Sequence, residues 1–213
     1  MKENIEQPNE APAGSPPEKK SSIRGLLVTS VLMTVVLMVG IGIIYPFVMT
    51  GVAQVLFNHQ ANGSLITRNG KIVGSSLIGQ SFTQNKYFWD RLSDAGTGYN
   101  AESSAGSNLG PTNQKLVQNT VAEANLIRKV NGLPKNYLLP SDAVSSSASG
   151  LDPDISPAYA DLQVPRVARV RGLSQTTVMG LVKKYTEGRT FDILGEPRVN
   201  VLELNLALDS LKK

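Results

Sequence analysis

Between Gly25 and Thr67 the chain carries no Asp, Glu, Lys or Arg, and from Gly25 to Phe57 it is almost wholly apolar. A helix of about 20 apolar residues crosses the ~30 Å hydrocarbon core of a bilayer, so this run is long enough to span one. A charge at that depth costs several kcal/mol, which makes its absence informative. The pattern predicts one transmembrane helix over residues 23–48. Tyr45 and Phe47 suit the far interface, and Pro46 falls near the end, where a lost backbone bond is easiest to tolerate. A cleaved signal sequence has a shorter apolar region and a small-x-small cleavage site. Here the run is too long and Val52-Ala53-Gln54-Val55 is a poor site, so the expectation is an uncleaved anchor.

Lys19, Lys20 and Arg24 precede the apolar run, and no basic residue except His59 follows until Arg68. By the positive-inside rule the N-terminus stays in the cytoplasm and the C-terminal part is extracytoplasmic. Residues 1–22 contain no aromatic side chain and are rich in Pro, Glu, Ser and Lys. They read as a disordered cytoplasmic tail. The expected organisation is therefore that tail, a helix at 23–48 and an extracytoplasmic domain at 49–213.

The domain reads as mixed α+β, helix-rich with a small sheet. Asn69-Gly70 between Leu65–Arg68 and Lys71–Val73 predicts a hairpin with a type I′ turn, and Leu77-Ile78 is expected to continue the sheet. Phe82, Tyr87, Phe88 and Trp89 read as core. Residues 94–113 and 141–157 read as two long polar loops. A helix is expected at 113–131, with Thr112 as its cap and Gly132 as its terminator. Ser156-Pro157 starts another, which is expected to break at Pro165 and stop at Gly172. Ser174 caps a third, reaching about Glu187 before Gly188. The last segment, residues 199–211, is read as a helix with Asn200 and Glu203 as a capping pair.

Chemistry is sparse. There is no cysteine and a single histidine, His59, so a His-based metal site or a Ser-His-Asp triad lacks partners. No phosphate-binding glycine motif occurs, and the acids are scattered. An autonomous enzyme has no visible basis. The two polar loops remain as a docking or ligand surface or as plain turns. Arg166 and Arg169, three apart, share a helical face and read as solvated, and nucleic acid is not an expected partner.

The stretches GSSLIGQSF (74–82), YFWDR (87–91), SSAGSNLGPTN (103–113), SGLDPDISPAYADLQVPRVARVRGL (149–173) and GEPRVNVLELNLALD (195–209) together resemble the C subunit family of the Kdp potassium-transporting ATPase. The resemblance implies a non-catalytic subunit in the bacterial inner membrane, required for assembly and activity of a high-affinity potassium pump. Its implied partners are a channel-like, potassium-selective A subunit, a P-type ATPase B subunit and a small F subunit, besides the bilayer. No cofactor is expected on the chain itself, and ATP enters through the catalytic subunit. The family has also been regarded as a catalytic chaperone that raises the B subunit's ATP affinity in a transient ternary complex. That proposal places Gln163, with Arg166, at a nucleotide. An outward-facing domain cannot meet cytoplasmic ATP, so coupling is expected to be indirect. Candidate contacts with partner subunits are Ser107, Asn108, Asn113, Gly150, Asp152 and Pro153 in the loops. Gly40 and Gly42 are candidates for helix packing.

Overall fold

The computed structural model describes residues 22–211; the expected tail therefore lies outside them except for Ser22. The chain divides into two units, one ending at Phe57 and one beginning at Asn58.

The first unit is a continuous helix from Ile23 to Leu56. It comprises α1 (Ile23–Val39), a π-helical turn (Gly40–Ile44) and α2 (Tyr45–Leu56). The Ser22 hydroxyl accepts a hydrogen bond from the Gly25 N–H at 3.2 Å and opens the helix. Pro46 has no N–H to donate four residues back. The helix absorbs this by widening one turn, so that the Tyr45 N–H bonds Gly40 O five residues back. The helix consequently runs through Pro46 and past Val48. At 1.5 Å per residue its 34 residues extend about 51 Å. Its apolar window carries no buried side chain, so its stability against water must come from something other than its own fold. By length and composition it is able to cross a membrane.

The second unit opens with a single turn, α3 (Asn58–Ala61), and the hairpin β1 (Leu65–Arg68) and β2 (Lys71–Ser75). Asn69 and Gly70 take positive φ of 51° and 74°, the values the tight turn requires. Thr67 faces Ile72 and Ile66 faces Gly74, so Val73 is an extra residue in β2, a bulge. Its carbonyl is bonded instead by the Gln80 side-chain amide at 3.0 Å. Leu77-Ile78 does not continue the strand: after one bridge between Ser75 and Ile78 the chain turns away, leaving Leu77 exposed.

The core is built from α4 (Gln114–Asn131), α5 (Pro157–Arg171), α6 (Gln175–Lys184) and α7 (Val201–Ser210), with a three-stranded antiparallel sheet of β3 (Asp154–Ile155), β5 (Arg198–Asn200) and β4 (Thr186–Glu187) in that order. Helix α5 is the central element. Eight of its side chains are buried, among them Tyr159, Val164 and Val167. Ser156 caps it through the Tyr159 N–H at 3.1 Å, and Gly172 ends it at φ 66°.

Several expected boundaries move. Asn113, not Thr112, caps α4, because its side-chain oxygen reaches the Lys115 N–H at 2.9 Å. Pro165 does not break α5. It lies on the exposed face with Asp161, whose carbonyl loses its helical donor where solvent can replace it. Helix α6 stops at Lys184, since Thr186–Glu187 pairs with Val199 and Arg198 across the sheet. In the final segment Asn200 caps α7 through the Glu203 N–H at 3.1 Å, while Arg198–Asn200 is strand.

Candidate functional site

Gln163 is fully buried and Arg166 is 1% exposed, one helical turn apart on the inner face of α5. What encloses them is the aromatic segment Asn85–Trp89, which is neither helix nor strand. A buried backbone without a ladder must find its hydrogen bonds elsewhere. It finds them on helix side chains. The Trp89 N–H donates to Gln163 Oε1 at 2.8 Å, and Gln163 Nε2 donates to Trp89 O at 3.1 Å. Asn205 on α7 treats Phe88 the same way, with Phe88 N–H to Oδ1 at 2.9 Å and Nδ2 to Phe88 O at 3.0 Å. Arg166 Nη1 donates to Asn85 O at 2.6 Å and Tyr87 O at 2.9 Å, and Arg171 Nε donates to Lys86 O at 2.6 Å. Two side-chain amides and two guanidinium groups thus replace the neighbouring strands this segment lacks.

The remaining capacity of Arg166 is also spent inside. Its Nη2 donates to Gln163 Oε1 at 2.6 Å, and its Nε to Oδ1 of Asn131 on α4 at 2.9 Å. The guanidinium carbon sits 5.1 Å from the Trp89 ring centroid, a cation–π contact. Burial pushes the Arg166 pKa down to about 10, but it stays charged at neutral pH. The expected solvated face is accordingly divided: Arg169 is exposed, whereas Arg166 is enclosed because the aromatic segment covers that side of α5. In this conformation neither Gln163 nor Arg166 presents a polar atom to solvent.

The two polar loops lie against each other. The Ser104 hydroxyl donates to Ser149 O at 2.9 Å and the Ser93 hydroxyl to Gly150 O at 2.6 Å. Gly150 is buried at φ 68°, and a Cβ there would stand 2.6 Å from Ala105 O. Asp152 pairs with Arg91 at 2.8 Å, and Pro153 O accepts the Val201 N–H at 3.0 Å. Ser107 is half-buried, Asn108 is exposed at φ 51°, and Asn113 is exposed but engaged as the α4 cap. Of the candidate contacts, Asn108 and Asn113 present themselves most openly.

Beside this surface lies Asp90. Both its carboxylate oxygens are buried, and neither has a hydrogen-bond partner among the described residues. Desolvation pushes its pKa well above the usual carboxylate range, and Asp152 and Asp154 push in the same direction. The nearby Gln80 backbone amide opposes this without a well-aligned bond. Among the described residues no three His, Cys, Asp or Glu side chains are grouped to hold a metal ion.

The model of the family described as "KdpC: K+-transporting ATPase, c chain" matches residues 27–210, helix and domain together. The chain belongs to the KdpC family. Among relatives called potassium-transporting ATPase KdpC subunit, that of Koribacter versatilis is 54% identical over 184 residues, 86% of this chain and 93% of the relative. That of Mycobacterium bovis BCG is 50% identical over 189 residues, covering 89% of this chain and all of the relative. That of Paraburkholderia phytofirmans is 50% identical over 194 residues, 91% and 98% of the two chains.

In this KdpC-family chain Gly40 and Gly42 fall in the π turn, and a Cβ on either would meet nothing within 4 Å. That leaves a smooth strip of helix surface beside the point where the helix changes register. The sequence reading passed over Asn131, Asn205 and Asp90. The first two carried a detectable signal: Asn205 shares a helical face with Val201, Leu202 and Leu208, and Asn131 lies one turn beyond Ile127. A polar amide on an apolar face calls for a buried partner. Asp90 carried no such mark.

Proposed function

We propose that this chain is a non-catalytic subunit of a potassium-transporting ATPase, anchored by its N-terminal helix with the domain on the extracytoplasmic side. It would serve assembly and activity of the complex. Its helix would pack through the Gly40–Gly42 strip on the channel-like subunit, and the loop surface around Asn108 and Asn113 would face the same partner. ATP would be handled by the P-type ATPase subunit.

The observation that carries this reading is the burial of Gln163 and Arg166. Their donors and acceptors are committed to the chain's own backbone, which supports a structural role over nucleotide contact. A direct nucleotide role would need the Asn85–Trp89 segment to lift away.

The test uses the absence of cysteine. Single cysteines are placed at Ala148, exposed in the second polar loop, and at Ser21, ahead of the helix. Intact spheroplasts are then treated with a membrane-impermeant maleimide. Labelling confined to Ala148→Cys is the expected result. Labelling confined to Ser21→Cys would put the domain in the cytoplasm and favour a chaperone acting on ATP.

A further inference from the structure

Strands β4 and β5 are joined by a tip whose surface differs from the rest of the domain. Glu187 and Arg198 pair at its base at 2.6 Å, and Arg189 Nη2 reaches both carboxylate oxygens of Glu196 at 2.8 and 2.9 Å. Above these pairs Thr190 and Leu194 exchange two backbone hydrogen bonds, each 2.9 Å. Beyond that closure stand Phe191, Ile193 and Leu194, exposed by 84%, 77% and 60%.

Lone exposed apolar residues are ordinary, but three large ones within four positions on a closed tip are not. The backbone adds a second observation. Phe191 and Asp192 both sit in the left-handed region, at φ 55° and 58°. Asn69 and Gly70 suit that conformation; phenylalanine does not. The reciprocal backbone bonds between Thr190 and Leu194 close the turn that carries this strain.

Charge narrows the occupant. Arg189 and Arg198 are each neutralised by a glutamate. Among the described residues, Asp192 is the one charged side chain within 190–194 that forms no ion pair, and it is exposed. A tip without free cations and with a free carboxylate is repelled by an anionic lipid surface. It complements an apolar socket bordered by a lysine or arginine.

We propose that the 190–194 tip is a docking knob that inserts Phe191, Ile193 and Leu194 into an apolar socket on another polypeptide of the pump, with a basic side chain of that partner facing Asp192. This rests on the reading of the chain as a pump subunit and adds a surface separate from the polar loops and the helix glycines.

The full-length chain, tagged and co-expressed with the rest of the pump, is purified from membranes in mild detergent, and the recovery of the other subunits is measured. Phe191→Ser with Ile193→Ser is expected to cut recovery about tenfold or more, as loss of a central apolar anchor does. Asp192→Lys is expected to cut it several-fold. Leu138→Ser, which removes an apolar side chain 90% exposed elsewhere on the domain, should recover as the wild type does. Unchanged recovery by the tip variants would overturn the knob, as would an equal loss from Leu138→Ser. Failure of the wild type to recover any subunit would overturn the pump reading itself and the knob with it. A photo-reactive residue at position 191 gives a readout independent of folding changes in the serine variants. Cross-links to another pump subunit are expected; cross-links only to lipid or to a second copy of this chain would reject the knob.

Discussion

Gln163 has no free polar atom, and that decides what its loss does. Gln163→Ala leaves the Trp89 N–H and carbonyl without partners in a closed interior and removes an acceptor from Arg166. Orphaned buried groups cost about 1–3 kcal/mol each, so the variant should lose about 3 kcal/mol or more in denaturant unfolding of the detergent-solubilised chain. A Gln163→Ala chain as stable as the wild type would remove the structural account of this residue. Asp90 works with the opposite sign. Its folded pKa lies above the ordinary 3.8, so ionisation favours the unfolded chain. Stability is therefore highest below about pH 4 for this group and is lost as pH rises toward the folded value. Asp90→Asn, which mimics the neutral carboxyl, should melt above the wild type at pH 7, and the gap should close as pH falls toward 4. A gap independent of pH would rule this out.

At the scale of elements, the loops are locked more tightly than their composition implies. Gly150 sits where a methyl group would strike Ala105 O and the Ala95 N–H, in a left-handed backbone that alanine also resists. Gly150→Ala should destabilise the domain by about 2 kcal/mol or more, read as a fall in melting temperature, through combined strain and overpacking. A neutral result would mean the two loops separate easily. Much of the architecture was legible because its signals are local. Asn69-Gly70 forces its turn, Ser156-Pro157 opens α5, and Gly132 and Gly172 close their helices in the left-handed conformation. The elements that were missed depend on remote partners. Thr186–Glu187 is a strand only because Arg198 and Val199 lie beside it. Pro165 continues a helix only because it faces solvent, while its neighbours on α5 are held in the core. Gln163 drew notice through family resemblance alone. Its burial depends on a segment more than seventy residues earlier in the chain, which no local pattern encodes.

The whole molecule joins an apolar helix, able to span a membrane, to a domain whose central helix, α5, is covered on one side by a segment with no regular structure. The amides of Phe88 and Trp89 belong to no helix or strand, yet they are held by side chains on two different helices, α7 and α5. To release them, those helices must part from the segment, which means opening the core rather than fraying a loop. Hydrogen–deuterium exchange should therefore find these two amides among the slowest in the protein, protected to the level of global unfolding. Rapid exchange there would mean that the segment detaches on its own. With the expected protection, the slowest clock would sit in an apparent coil, and a map of protection would disagree with a map of secondary structure at the place where two helices close over it.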